Sequence, residues 1–111
     1  MGVTLKNAYT GQPGLAAGTV YTCPANTQGR ILKATATNDT STATTITAYL
    51  VPPGGAAGAA NMVINAKAIG PNEDVDLDAL IGQVLDTGDF ISMLAGVADQ
   101  VTVAISVAEI V

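Results

Sequence analysis

Nucleophilic catalysis by serine or cysteine needs a base held beside the nucleophile, most often histidine. This sequence has no histidine and a single cysteine, Cys23. No Ser-x-x-Lys arrangement supplies a lysine base in its place. Cys23 precedes Pro24 in Tyr-Thr-Cys-Pro, and the nearest cation downstream is Arg30. It reads as a small hydrophobe rather than a reactive thiolate. With one cysteine, neither an intramolecular disulfide nor a cysteine-based zinc site can form.

The carboxylates of Glu73-Asp74-Val75-Asp76-Leu77-Asp78 are the other group whose spacing suggests chemistry. Asp-x-Asp-x-Asp opens a calcium loop because oxygens at alternate positions can converge on one ion. The remainder of that loop is missing: its turn position holds Ala79 instead of glycine, and its bidentate position holds Leu85. The plainer reading is a solvated strand face backed by Val75 and Leu77; a metal shared between subunits stays open. Asp74, Asp76, Asp78, Asp86 and Asp89 also offer pairs for glycoside hydrolysis. The aromatic platform of a sugar site is lacking, with only Tyr9, Tyr21, Tyr49 and Phe90 in the chain. Gly54-Gly55-Ala56-Ala57-Gly58 lacks the Lys and Ser/Thr of a phosphate-binding loop and reads as an ordinary loop. The expectation is a protein that is not an enzyme, without catalytic residues, cofactor or metal.

Composition points the same way. The chain has 111 residues, the size of one domain, and we take 1–111 as a single domain. Hydrophobic residues make up 49% but aromatics only 4%, so the core must be built from small and β-branched side chains. Such side chains bury little area each, which makes self-association an expected supplement. The net charge is −5, and the four cations, Lys6, Arg30, Lys33 and Lys67, are scattered. That excludes the basic patch on which nucleic-acid or anionic-membrane binding rests. The segment from Met1 to Lys6 lacks the apolar run of a signal peptide, so synthesis and assembly in the cytoplasm are expected.

Short alternating runs punctuated by Gly and Pro predict an all-β, antiparallel sandwich of about eight short strands. Strands are expected at Val3 to Tyr9, Thr19 to Thr22, Arg30 to Thr37, Thr44 to Val51, Met62 to Ile69, Asp74 to Asp78, Phe90 to Leu94 and Gln100 to Val111. Leu32, Ala34 and Ala36 are expected to face inward, against Lys33, Thr35 and Thr37. Ile46, Ala48 and Leu50 are likewise set inward against Thr45, Thr47 and Tyr49. These two runs read as a hairpin about Asn38 to Ser41. The Gly/Ala stretch from Gly54 to Ala60 reads as a loop tip or a short helical turn. Asp78 could cap one helical turn. The last strand sets Val101, Val103, Ile105 and Val107 against the small Thr102, Ala104, Ser106 and Ala108.

The order of Leu5-Lys-Asn-Ala-Tyr-Thr-Gly11, Val20-Tyr-Thr-Cys-Pro-Ala25, Arg30-Ile-Leu-Lys-Ala-Thr-Ala-Thr-Asn38, Ile46-Thr-Ala-Tyr-Leu-Val-Pro-Pro-Gly-Gly55 and Gly82-Gln-Val-Leu-Asp-Thr-Gly-Asp89 resembles small virion structural proteins of tailed bacteriophages. The resemblance covers most of the chain. It implies a sandwich or jelly-roll-like fold and a place in the virion. The implied role is a capsid decoration (cement) protein binding major capsid protein subunits and copies of itself; the alternative is a neck, tail or fibre component, including a host-surface or carbohydrate-binding module. The candidate contacts are Val3, Leu5, Lys6 and Tyr9 in the first segment and Gly54, Gly55 and Ala57 in the loop. Deleting residues Met1 to Lys6 is then expected to lower occupancy on the particle, measured by co-sedimentation; unchanged occupancy removes that segment from the account.

Overall fold

The computed structural model describes residues 2–111; Met1, at the head of the first candidate segment, lies outside the described residues. Nine strands form in this order: β1 (Val3–Gly11), β2 (Gly18–Thr22), β3 (Gln28–Asn38), β4 (Thr44–Val51), β5 (Met62–Ile69), β6 (Glu73–Asp76), β7 (Val84–Leu85), β8 (Phe90–Ala95) and β9 (Val101–Ile110). They make two antiparallel sheets. The first runs β1-β9-β3-β6, with the two-residue β7 also on β3; the second runs β2-β8-β4-β5. One apolar cluster joins them, with Ile31, Ala34, Val103, Ile105 and Val107 from the first sheet and Ile46, Ala48, Ile91 and Met93 from the second.

β9 follows its sequence pattern closely. Val101, Val103, Ile105 and Val107 are buried, while Thr102 and Ser106 are exposed. β3 departs from it. Its alternation breaks at Leu32, where the register against β9 shifts between Ile31 and Lys33. A bulge places two residues opposite one, so the strand changes phase. Ile31 is therefore fully buried and Leu32 lies 42% exposed, which corrects the inward assignment of Leu32. A run of two apolar residues, Ile31-Leu32, does not say which of them the phase change turns outward.

The hairpin expected from β3 and β4 is also corrected. The two strands lie in different sheets: β3 pairs with β9, β6 and β7, and β4 with β5 and β8. Alternation tells which face of a strand is apolar, not which strand lies beside it. The connection arches between sheets around Asn38, which is fully buried. Its amide donates to Thr42 O (2.8 Å) and Gly70 O (3.2 Å). Its Oδ1 accepts from Thr40 N (3.0 Å) and Thr40 Oγ1 (2.7 Å).

Thr47 and Tyr49 on the second face of β4 are buried although the pattern sets them outward; Thr47 Oγ1 accepts from Ala66 N at 3.0 Å. At its end Pro52-Pro53-Gly54-Gly55 closes a turn: Gly55 N donates to Pro52 O (3.0 Å) and Gly54 has φ +76°. Proline in second place and a left-handed residue in third define a type II turn, for which glycine suits Gly54. The Gly/Ala stretch then enters a 3₁₀ turn over Ala59–Asn61. After β6, Leu80 N and Ile81 N both donate to Leu77 O, giving one hydrogen-bonded turn without a helix or a cap from Asp78.

Replacing Asn38 by alanine removes the amide donor that ties Thr42 O to Gly70 O and frees the Thr40 end. Stability should fall by about 2 kcal/mol, read as a lower urea midpoint with an unchanged slope.

Candidate interaction surface

Directly opposed residues of an antiparallel pair point to the same face. Strand register therefore assembles the outer face of the first sheet. Leu5 opposes Ala108, Ala108 opposes Arg30, and Arg30 opposes Val84, one row across four strands. The next row toward the chain ends is Val3, Ile110 and Gln28. Leu32 stands beside them on its bulge. Leu5 is 73% exposed, Val3 63%, Val84 57% and Leu32 42%. With strands 4.8 Å apart and about 3.4 Å per residue, this patch covers roughly 250 Å².

The other half of the same face is polar. It carries Asn7, Ser106, Lys33, Thr35 and Thr102, then Asp74 opposite Thr37 and Asp76 opposite Thr35. Lys33 reaches Asp76 at 3.1 Å, an exposed pair worth little in water. Asp74 and Asp76 stand about 6.8 Å apart along β6, two residues of strand rise. Asp78 lies past buried Leu77 in the following turn, and no metal-holding group of three His, Cys, Asp or Glu forms among the described residues.

Lys6 and Tyr9 point away from this patch. Lys6 opposes Val107 on the inner face, where its ammonium lies 3.7 Å from Glu109 and 6.0 Å from the centre of the Tyr21 ring. The Tyr21 hydroxyl donates to Glu109 Oε2 at 2.5 Å, clasping the second sheet to the first. Burial first, then the bond to Glu109 and its charge, push the Tyr21 phenol well above its usual value of 10.0. Burial also raises the Cys23 thiol, which donates to Thr27 O at 3.3 Å. Tyr9 follows the β1 register shift, packs on the core half-buried, and has its phenol raised by burial.

Gly54 and Gly55 are exposed and Ala57 is half-buried. Their loop lies at the same end of the molecule as Val3, because Val51 pairs with Phe90 and Pro53 packs against Gly88. The Gly88 turn is tied through Thr87 and Thr27 to the start of β3. The loop leaves the second sheet, however, so it flanks the apolar patch rather than forming it. Between this loop and β7 is a cavity of about 170 Å³, lined by Leu50, Val51, Pro52, Val84, Leu85 and Asp89. That is well below the roughly 300–1,000 Å³ of a cofactor or substrate pocket.

Of the candidate contacts, Val3 and Leu5 lie on this patch, whereas Lys6, Tyr9, Gly54, Gly55 and Ala57 do not; register adds Leu32, Val84, Ala108, Ile110 and Arg30 to the same face. Val84 falls in a segment that reads as a turn, and only its pairing with Arg30 gives it a face. The chain matches no protein-family model, no curated protein and no solved structure at a significant level.

Tyr21→Phe removes a bond to a charged acceptor and should cost about 1.5–3 kcal/mol near neutral pH. A phenol whose folded pKa is raised stabilises the fold fully below its unfolded pKa, and that stability declines as pH rises above 10. The urea midpoint should therefore fall above pH 10, and fall less steeply in Tyr21→Phe, with Tyr9 and Cys23 supplying the remaining slope.

Proposed function

We propose that this chain is a non-catalytic structural protein of a bacteriophage particle: a capsid decoration protein that docks on major capsid protein subunits through the apolar half of its first sheet. The observation that carries the reading is the row Leu5, Ala108, Arg30 and Val84 with Val3, Ile110 and Leu32 around it. Large apolar residues gathered on one exposed patch mark an interaction site more often than scattered ones do. The strand order supports a jelly-roll reading: with β6 and β7 taken as one interrupted strand, each sheet has four strands and the chain passes repeatedly between them.

Area argues for how such a protein works. A stable pairwise interface takes roughly 800 Å² from each partner. A patch of about 250 Å² supports only weak binding of one copy. Many copies on a repeating lattice, adjoining one another as well as the capsid, gain from effective concentration instead.

The guarded edges support contact through a face. β1 turns Lys6 inward and bulges after Asn7; β2 and β5 shift register, with Ala66 of β5 at φ 47°; β6 has four residues. Inward charges, bulges and short strands all discourage edge-to-edge pairing. A sugar-binding role has less support, since Tyr21 and Tyr49 are buried and no aromatic platform faces solvent among the described residues.

Leu5→Asp should lower occupancy on particles stripped of the protein by at least tenfold, with thermal stability nearly unchanged because Leu5 is already in water. Thr102→Asp on the polar half should bind as the parent does. Equal binding of Leu5→Asp and the parent overturns the proposed face.

A further inference from the structure

The cavity beside β7 has a wall and an acceptor that suit one kind of guest. Leu50, Val51, Pro52, Val84 and Leu85 supply apolar surface, and half-buried Asp89 supplies the only charge in the lining. A void of roughly 150 Å³ holds a benzene-sized group of six heavy atoms. The cavity, at about 170 Å³, therefore has room for a single long side chain. Val84 belongs both to this cavity and to the apolar patch, so the cavity borders the patch.

Charge selects the guest. The ion pairs among the described residues are Lys6–Glu109 and Lys33–Asp76, which leaves Asp89 and neighbouring Asp86 with no cation of the chain's own. Arg30 stands opposite Val84 on the outer face and pairs with neither. Asp86 is engaged by Gln28, whose Nε2 donates to its Oδ1 at 3.0 Å. Asp89 Oδ2 accepts from Asp86 N at 2.9 Å, which leaves its other oxygen as a single-point acceptor. An arginine fork needs two parallel acceptors; a lysine ammonium is a point charge on a four-carbon stem that can lie along apolar surface.

We propose that this cavity is a lysine socket. It takes one lysine side chain of the docked partner, the stem against Leu50, Val51 and Val84 and the ammonium on Asp89. The identity of that partner rests on the function proposed above; the chemistry of the socket does not.

The test uses the isolated chain and n-butylammonium, which reproduces the lysine stem and head. Methyl resonances of Leu50, Val51, Val84 and Leu85 should shift and saturate with a Kd in the millimolar range expected for five heavy atoms. Asp89→Asn keeps an oxygen for Asp86 N and so preserves the turn; it should weaken binding at least fivefold, and 1-butanol should bind the parent at least fivefold more weakly than the ammonium. Shifts that never saturate, or equal affinity for the Asn variant or for butanol, overturn the socket. Leu5→Asp should bind n-butylammonium as the parent does. Loss of particle docking in that variant and loss of the titration in Asp89→Asn are thus separate results, and either can fail alone.

Discussion

β9 is the ruler against which the first sheet is measured. Its burial alternates from Val101 to Val107, and it is paired along its length on both sides, with β1 and with β3. A strand held this way fixes the phase of its neighbours, because a one-residue slip would turn their apolar set to water. Both neighbours meet the constraint by inserting a residue, Ala8 in β1 and Leu32 in β3. The two insertions sit at the same level, beside Ser106. Bulges bend a strand and sharpen its twist, and this shared level is also where the outer face changes from apolar to polar. The patch is therefore a product of register and not of any continuous run of apolar residues.

This explains what the sequence made legible. Local rhythm is a property of a few consecutive residues, and strands such as Thr44–Val51 and Met62–Ile69 begin and end where their turn residues say. Pairing is a property of distant segments. Nothing within β3 or β4 tells that the two are parted by an arch around Asn38. Nothing within Gln83 to Leu85 tells that Val84 joins a four-strand row. The same limit governs the candidate surface: Leu32 and Ile31 are equally apolar, and only the register shift against β9 decides which of them enters the core.

The inner face shows how a core of small side chains is closed. Aliphatic residues fill the middle, but toward the end near the chain termini the gap between sheets holds Tyr21, Glu109 and Lys6. A tyrosine ring spans more of that gap than alanine or valine can, and its hydroxyl must find an acceptor when buried. Lys6 then serves twice: it screens Glu109, and as an inward charge it keeps β1 from accepting another strand.

The ends of the described chain lie side by side: Gly2 N donates to Val111 O at 3.2 Å and Val111 N to Gly2 O at 2.9 Å. Anything fused at residue 2 or 111 emerges next to Val3 and Ile110, where it would screen the apolar rows from a partner. Joining those ends through a short linker and reopening the backbone among residues 54–58 would give a circularly permuted chain with every strand intact. Its new ends would leave from the loop beyond the cavity lined by Leu50 and Val84, so a fusion there would not start on the apolar rows.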